Sequence, residues 1–175
     1  QALVGGGYAL FFHHATANVG VDQTDAGVAS QWWKSCDEAL ARQLGPAAAS
    51  DAEIDNVRAF FATSGVQVSE LYASEFCRAR QTAEGFGLAA PAIGLPSLNL
   101  HVYPEAMRCG DALSSLNAQP AAGTNIVYVG HAQYQQPCPN LDGLVPGQAA
   151  IYKPQLGAPT RFVGHVNSAG WAQLP

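Results

Sequence analysis

Residues Tyr8–Phe12 read Y-A-L-F-F, an unbroken apolar run behind Gly5-Gly6-Gly7. A strand with one wet face alternates polar and apolar side chains. An uninterrupted run needs cover on both faces, which is the state of a central parallel strand. Such a strand demands helices above and below it, and the rest of the chain supplies them. Val68–Ala73 (V-S-E-L-Y-A) and Ile126–Val129 read as two further strands. Helical spacing falls between them. Gly27–Leu44 can wind with Trp32, Trp33, Ala39 and Leu40 on its apolar side until Gly45-Pro46 stops it. Asp51 can cap a helix running to about Thr63, with Ile54, Val57, Phe60 and Phe61 on one stripe. Cys77–Phe86 and Cys109–Leu116 are helical. Gly87–Pro96, rich in Gly, Pro and Ala, reads as loop, and Leu98–Tyr103 as a short strand. Ala149–Tyr152 and Arg161–Val166 close the chain as a hairpin or edge strands, and Trp171 and Leu174 fold back onto the core. This alternation predicts an α/β fold, a three-layer α/β/α sandwich with a mostly parallel central sheet. No internal repeat, low-complexity tract or linker interrupts residues 1–175, so one domain is expected.

Composition narrows the partners. Apolar residues form 48% of the 175, enough for a sizeable core, while charged residues form only 12%, so the surface is neutral-polar. The formal charge is -5 with no basic run, which disfavours nucleic acid and anionic membranes. No apolar stretch has the length of a membrane span. The sequence starts at Gln1 without a basic, apolar leader, as a removed signal peptide or a cut end would leave it. Cys36, Cys77, Cys109 and Cys138 are widely spaced with no C-x-x-C, which argues against a zinc or redox motif. Their even number suits disulfides in an oxidising compartment, with four buried thiols as the alternative. A periplasmic or secreted location is the expectation.

Open α/β sheets bind ligands beyond the carboxyl ends of their strands. Three strands deliver reactive groups there. The first ends in His13-His14, the second leads into Ser74–Arg78, and the third ends in Gly130-His131. Each alone is ordinary, since a lone histidine after a strand is more often structural. Their convergence makes a candidate site.

These segments resemble the histidine phosphatase (phosphoglycerate mutase-like) superfamily. That family has Arg-His-Gly or Arg-His-Ala after the first strand, where this chain has F-F-H-H-A-T. Its second block, like Ser-Pro-x-x-Arg-Ala-x-Gln-Thr-Ala, is matched by Ser74–Ala83 (S-E-F-C-R-A-R-Q-T-A) in all but the proline. Its third is a strand ending in Gly-His or Ser-His, as in N-I-V-Y-V-G-H. A Gly147-Gln148 turn, a strand holding Pro154 and a terminal Trp171 extend the resemblance over nearly the whole chain.

The resemblance implies a phosphomonoester hydrolase working through a phosphohistidine on a small phosphorylated metabolite or sugar, with no metal or other cofactor. His14 becomes the nucleophile, because a neutral imidazole carries a free lone pair. Arg78 holds phosphate oxygens with its planar fork, and His131 and His13 donate further hydrogen bonds. The resemblance also implies a Cys36–Cys77 disulfide, which leaves Cys109 and Cys138 as the second pair. Two departures stand out. His13 replaces the family's first arginine, removing one bidentate clamp. Ala132-Gln133 follows His131 with no carboxylate, which leaves Glu105, in P-E-A-M-R-C-G-D, as the candidate general acid. Two other readings stay open: a metal site built from His13, His14 and His131, since imidazole suits zinc, copper and iron, and a catalytically silent anion-binding domain. Adjacent strand residues face opposite ways, so a three-imidazole cluster requires a bend at His13-His14.

Overall fold

The computed structural model describes residues 2–45, 48–99, 109–132 and 137–174. The apolar run forms β1 (Ala9–His13), buried at all five positions. It is followed by α1 (Ala48–Thr63), β2 (Val68–Ala73), α2 (Cys77–Gly85), β3 (Ala92–Gly94), α3 (Cys109–Ser115), β4 (Asn125–Gly130), β5 (Ala149–Gln155), β6 (Ala158–Val166) and α4 (Ser168–Trp171). The strands form one six-stranded sheet in the order β3-β2-β4-β1-β5-β6. β3, β2, β4 and β1 run parallel, and the β5-β6 hairpin joins antiparallel beside β1.

Period-two alternation distributes the central side chains to two layers. Leu10, Phe12, Val127, Val129 and Ile151 meet Val57 and Phe60 of α1, Ala79 and Ala83 of α2, and Trp171 of α4. Ala9, Phe11, Ile126, Tyr128 and Tyr152 meet Leu98, Ala112, Leu116 and Leu141 on the other face. Phe11 and Phe12 thus serve opposite layers, both with no exposed surface. Burying each such ring contributes about 1.5–3 kcal/mol, which is why the unbroken run specifies a central strand. The sandwich with a largely parallel centre is the expected fold.

Local differences have physical causes. Residues 27–44 do not form the expected helix. They make short 3-10 turns at Val28–Ser30 and Trp32–Lys34 and then an irregular loop. Gln31 sits in the left-handed region at φ 49°. Ser35 accepts from the Asp37 amide and Asp37 from the Ala39 amide, side-chain bonds that replace helical ones. The α1 helix begins at Ala48, before Asp51, which lies within its first turn. Residues 92–94 add a short parallel edge strand where loop was expected. Leu98 lies in a 3-10 turn, and residues 100–103 of the expected short strand lie outside the described residues. Two disulfides are present, Cys36–Cys77 and Cys109–Cys138, as the resemblance implies.

Candidate active site

Register assembles the site. His13 pairs with Gly130 across β1 and β4, and Ala73 pairs with Val129 across β2 and β4. The three strands therefore end level, and the chain leaves them at His14, Ser74 and His131. Backbone bonds hold these exits: the His14 amide donates to the Gly130 carbonyl (3.0 Å) and the Ser74 amide to the Val129 carbonyl (2.8 Å). Because β1 stops at His13, the chain bends there. The His13 and His14 rings lie 4.4 Å apart, and the His14 and His131 rings 5.0 Å apart.

Hydrogen bonds set the proton positions. A carbonyl can only accept, so His14 donates its Nδ1–H to the Ala15 carbonyl at 2.8 Å. Its Nε2 then carries a lone pair, and the Arg78 Nε–H donates to it at 3.2 Å. Arg78 is 4% exposed, stacks its guanidinium 4.7 Å from the Phe76 ring centre, and places Nη1 3.1 Å from the Asp22 carboxylate. Burial holds the His14 pKa well below its ordinary value, and the charges of His13 and Arg78 push it the same way. The imidazole is therefore neutral at neutral pH, with its Nε2 lone pair turned to the Arg78 guanidinium.

His13 donates Nδ1–H to the Leu144 carbonyl at 2.7 Å, and its Nε2 is buried with no partner. Burial lowers its pKa, the Leu144 carbonyl opposes that, and Arg78 adds to it. His131 is fully buried behind His14. Its Nε2 lies 2.9 Å from the Ser74 hydroxyl, which also lies 3.1 Å from Asn99 Oδ1, while its Nδ1 has no partner. Burial drives its pKa well down, reinforced by His14, Arg78 and His13.

A cavity of about 340 Å³ opens over this cluster, lined by His13, His14, Thr16, Asp22, Arg42 and Arg78 among others. Four of the five residues singled out from sequence, His13, His14, Arg78 and His131, come together. The fifth, Glu105, lies outside the described residues. Asp22 and Arg42 were not singled out. Twenty residues separate them, but the loop folds back so that the Arg42 amide donates to Asp22 Oδ1 at 2.9 Å. The Val19–Gln43 bridge and the Cys36–Cys77 disulfide, whose second cysteine precedes Arg78, fasten this loop to the cavity wall. The positive charge of Arg42 contributes to lowering the His14 and Arg78 pKa values, which places it on the same electrostatic site. Among the described residues, no group of three or more His, Cys, Asp or Glu side chains is arranged to hold a metal ion.

A buried neutral imidazole therefore lies against a guanidinium at the carboxyl ends of a parallel sheet. Solved structures of histidine phosphatases share this fold. The chain is similar to the protein histidine phosphatase SixA complexed with tungstate (TM-score 0.62, 16% identity, 93% of this chain and 97% of that one). It is similar also to a protein of Agrobacterium tumefaciens assigned as the phosphohistidine phosphatase SixA (TM-score 0.58, 14% identity, 91% and 97%). A third is assigned likewise in Nakamurella multipartitia (TM-score 0.52, 16% identity, 95% and 87%). No protein-family model and no curated protein matches the sequence.

Proposed function

We propose that this chain is a phosphomonoester hydrolase that carries the phosphoryl group on His14 Nε2. The observation supporting it most is the fixed His14 tautomer, with its one lone pair held against the Arg78 fork in a buried cavity mouth. In the first half-reaction the Nε2 lone pair bonds phosphorus and the bond to the leaving group breaks. In the second, water attacks phosphorus, the N–P bond breaks and phosphate departs. Arg78 offers donors to the phosphoryl oxygens in both, with Arg42 at the rim as a second cation in place of the arginine that His13 displaces. Among the described residues, no ligand set for a metal supports the metal-site reading.

The cavity suits a small phosphorylated metabolite or sugar. A second reading, a phosphohistidine side chain of another protein, is supported by what the similar structures are called. A tetrahedral oxyanion, tungstate, accompanies one of them. An extracytoplasmic location is supported by the two disulfides; no helix among the described residues is long and apolar enough to cross a membrane. We take residues 1–175 to be one domain.

Phosphate release from p-nitrophenyl phosphate, with and without chelator, tests the proposal. Turnover unaffected by chelator is expected. Tungstate binding without turnover on any phosphomonoester or phosphohistidine peptide would leave only the silent anion-binding reading.

A further inference from the structure

We infer that Asp22 is the proton donor to the leaving group, and the base for the water that follows. The inference rests on the phosphohydrolase reading above. Three observations carry it. Asp22 is the carboxylate that lines the cavity among the described residues. Its Oδ1 lies 3.1 Å from Arg78 Nη1, while Arg78 Nε lies 3.2 Å from the His14 lone pair, so nucleophile, cation and carboxylate form one continuous chain. The Arg42 amide anchors that same Oδ1 at 2.9 Å, which fixes the carboxylate on an otherwise irregular loop.

The geometry assigns sides. In-line displacement puts the leaving oxygen opposite the attacking His14 Nε2. Asp22 and Arg42 line the same cavity, and Asp22 is less buried than His14, which puts its carboxyl toward the solvent side that the leaving group takes. Phosphoryl oxygens seated on Arg78 displace or share its bond to Asp22. That frees the Asp22 carboxyl to face the leaving oxygen.

The steps balance. The His14 Nε2 pair forms the N–P bond while the P–O bond to the leaving group breaks. That oxygen keeps its electron pair and takes the Asp22 proton, and the alcohol leaves. The Asp22 carboxylate next accepts a proton from water as the water oxygen bonds phosphorus. The N–P pair returns to Nε2, phosphate departs, and the Asp22 carboxyl is restored.

The test is the dependence of phosphoenzyme formation on leaving-group acidity. Wild type, Asp22→Asn and Glu105→Gln are compared on p-nitrophenyl, phenyl and alkyl phosphates in single turnovers. Asp22→Asn keeps the size and a polar contact to Arg78 but cannot supply the proton. It should lose little with p-nitrophenyl phosphate, whose phenolate departs unaided, and about a hundredfold or more with alkyl phosphates. Its phosphoenzyme should also persist, because water attack has lost its base. Tungstate binding should be retained, which excludes a collapsed pocket. A wild-type slope in Asp22→Asn, or steepening in Glu105→Gln alone, overturns the assignment of Asp22 while the phosphohydrolase stands. Loss of tungstate binding in Asp22→Asn makes it a structural prop for Arg78 and overturns the assignment as well. Wild type that forms no phosphoenzyme from any of the three overturns the underlying reading.

Discussion

If the chain acts as proposed, His13 makes phosphate binding a proton-coupled event. Neutral His13 spends its one N–H on the Leu144 carbonyl, 2.7 Å away, so its buried Nε2 offers only a lone pair. A lone pair repels a phosphoryl oxygen; an imidazolium N–H bonds it. Burial first, then Arg78, lowers the His13 pKa from its ordinary value against the pull of the Leu144 carbonyl. The empty pocket therefore holds His13 neutral at neutral pH. An incoming anion reverses the balance and raises the pKa above that of the free protein. The added affinity is full below the free-state pKa and is lost as pH rises through the bound-state pKa. A hydrogen bond to a charged partner contributes about 1.5–3 kcal/mol, or about ten- to a hundredfold in affinity. Calorimetry with dilute tungstate between about pH 6 and about pH 8, in buffers of different ionisation heat, measures both affinity and proton uptake. Wild type should take up close to one proton and bind about tenfold or more tightly at the acid end. His13→Arg, permanently charged, should bind with less uptake and a flatter profile. His14, His131, Arg78, Asp22 and Arg42 remain in both proteins, so the difference isolates His13. Equal proton uptake by the two proteins would refute the reasoning.

Other consequences are open to simpler measurements. Removing Cys109–Cys138, whose partners lie 29 residues apart, should lower unfolding free energy by about 3–4 kcal/mol in urea titrations while sparing turnover. Removing Cys36–Cys77 should cost a similar amount and also reduce turnover, since it fastens the loop carrying Arg42 beside Arg78; unchanged turnover would contradict that role. Gly130→Ala would set a methyl 2.8 Å from the Phe11 ring, an overpacking cost of about 1–3 kcal/mol readable as a lowered Tm. Trp171→Ala empties the space against Phe12, Phe60 and Phe61 and should destabilise by about 3–5 kcal/mol in the same assay.

The strands were legible because burial on both faces leaves no room for polar residues: Tyr8–Phe12 and Ile126–Val129 announce themselves by apolar continuity. Their shared ends then bring His13, His14, Arg78 and His131 together, because each reactive residue lies within a few positions of a strand terminus. Residues 27–44 misled for a physical reason. Their apolar spacing is compatible with a helix, but Trp32 packs against Phe76 in a separate small cluster, and Ser35 and Asp37 bond their own backbone. With that segment read as a helix, Asp22 and Arg42 had no reason to meet. Their pairing is a tertiary fact, set by the Val19–Gln43 bridge, and only the Cys36–Cys77 link hinted at it. His13 was visible at the strand end, while its hydrogen bonding depends on the Leu144 carbonyl 131 residues away.

Phosphorylation of His14 is the central claim, and trapping it is the most direct measurement. Wild type and His14→Ala are quenched in alkali within the first turnover of p-nitrophenyl phosphate and mapped by peptide mass spectrometry. The account predicts an acid-labile, alkali-stable phosphoryl group on the peptide carrying His14 in wild type, and none on the variant, which should fold normally and turn over nothing. Undiminished turnover by His14→Ala, or a phosphoryl group on another residue, would contradict it.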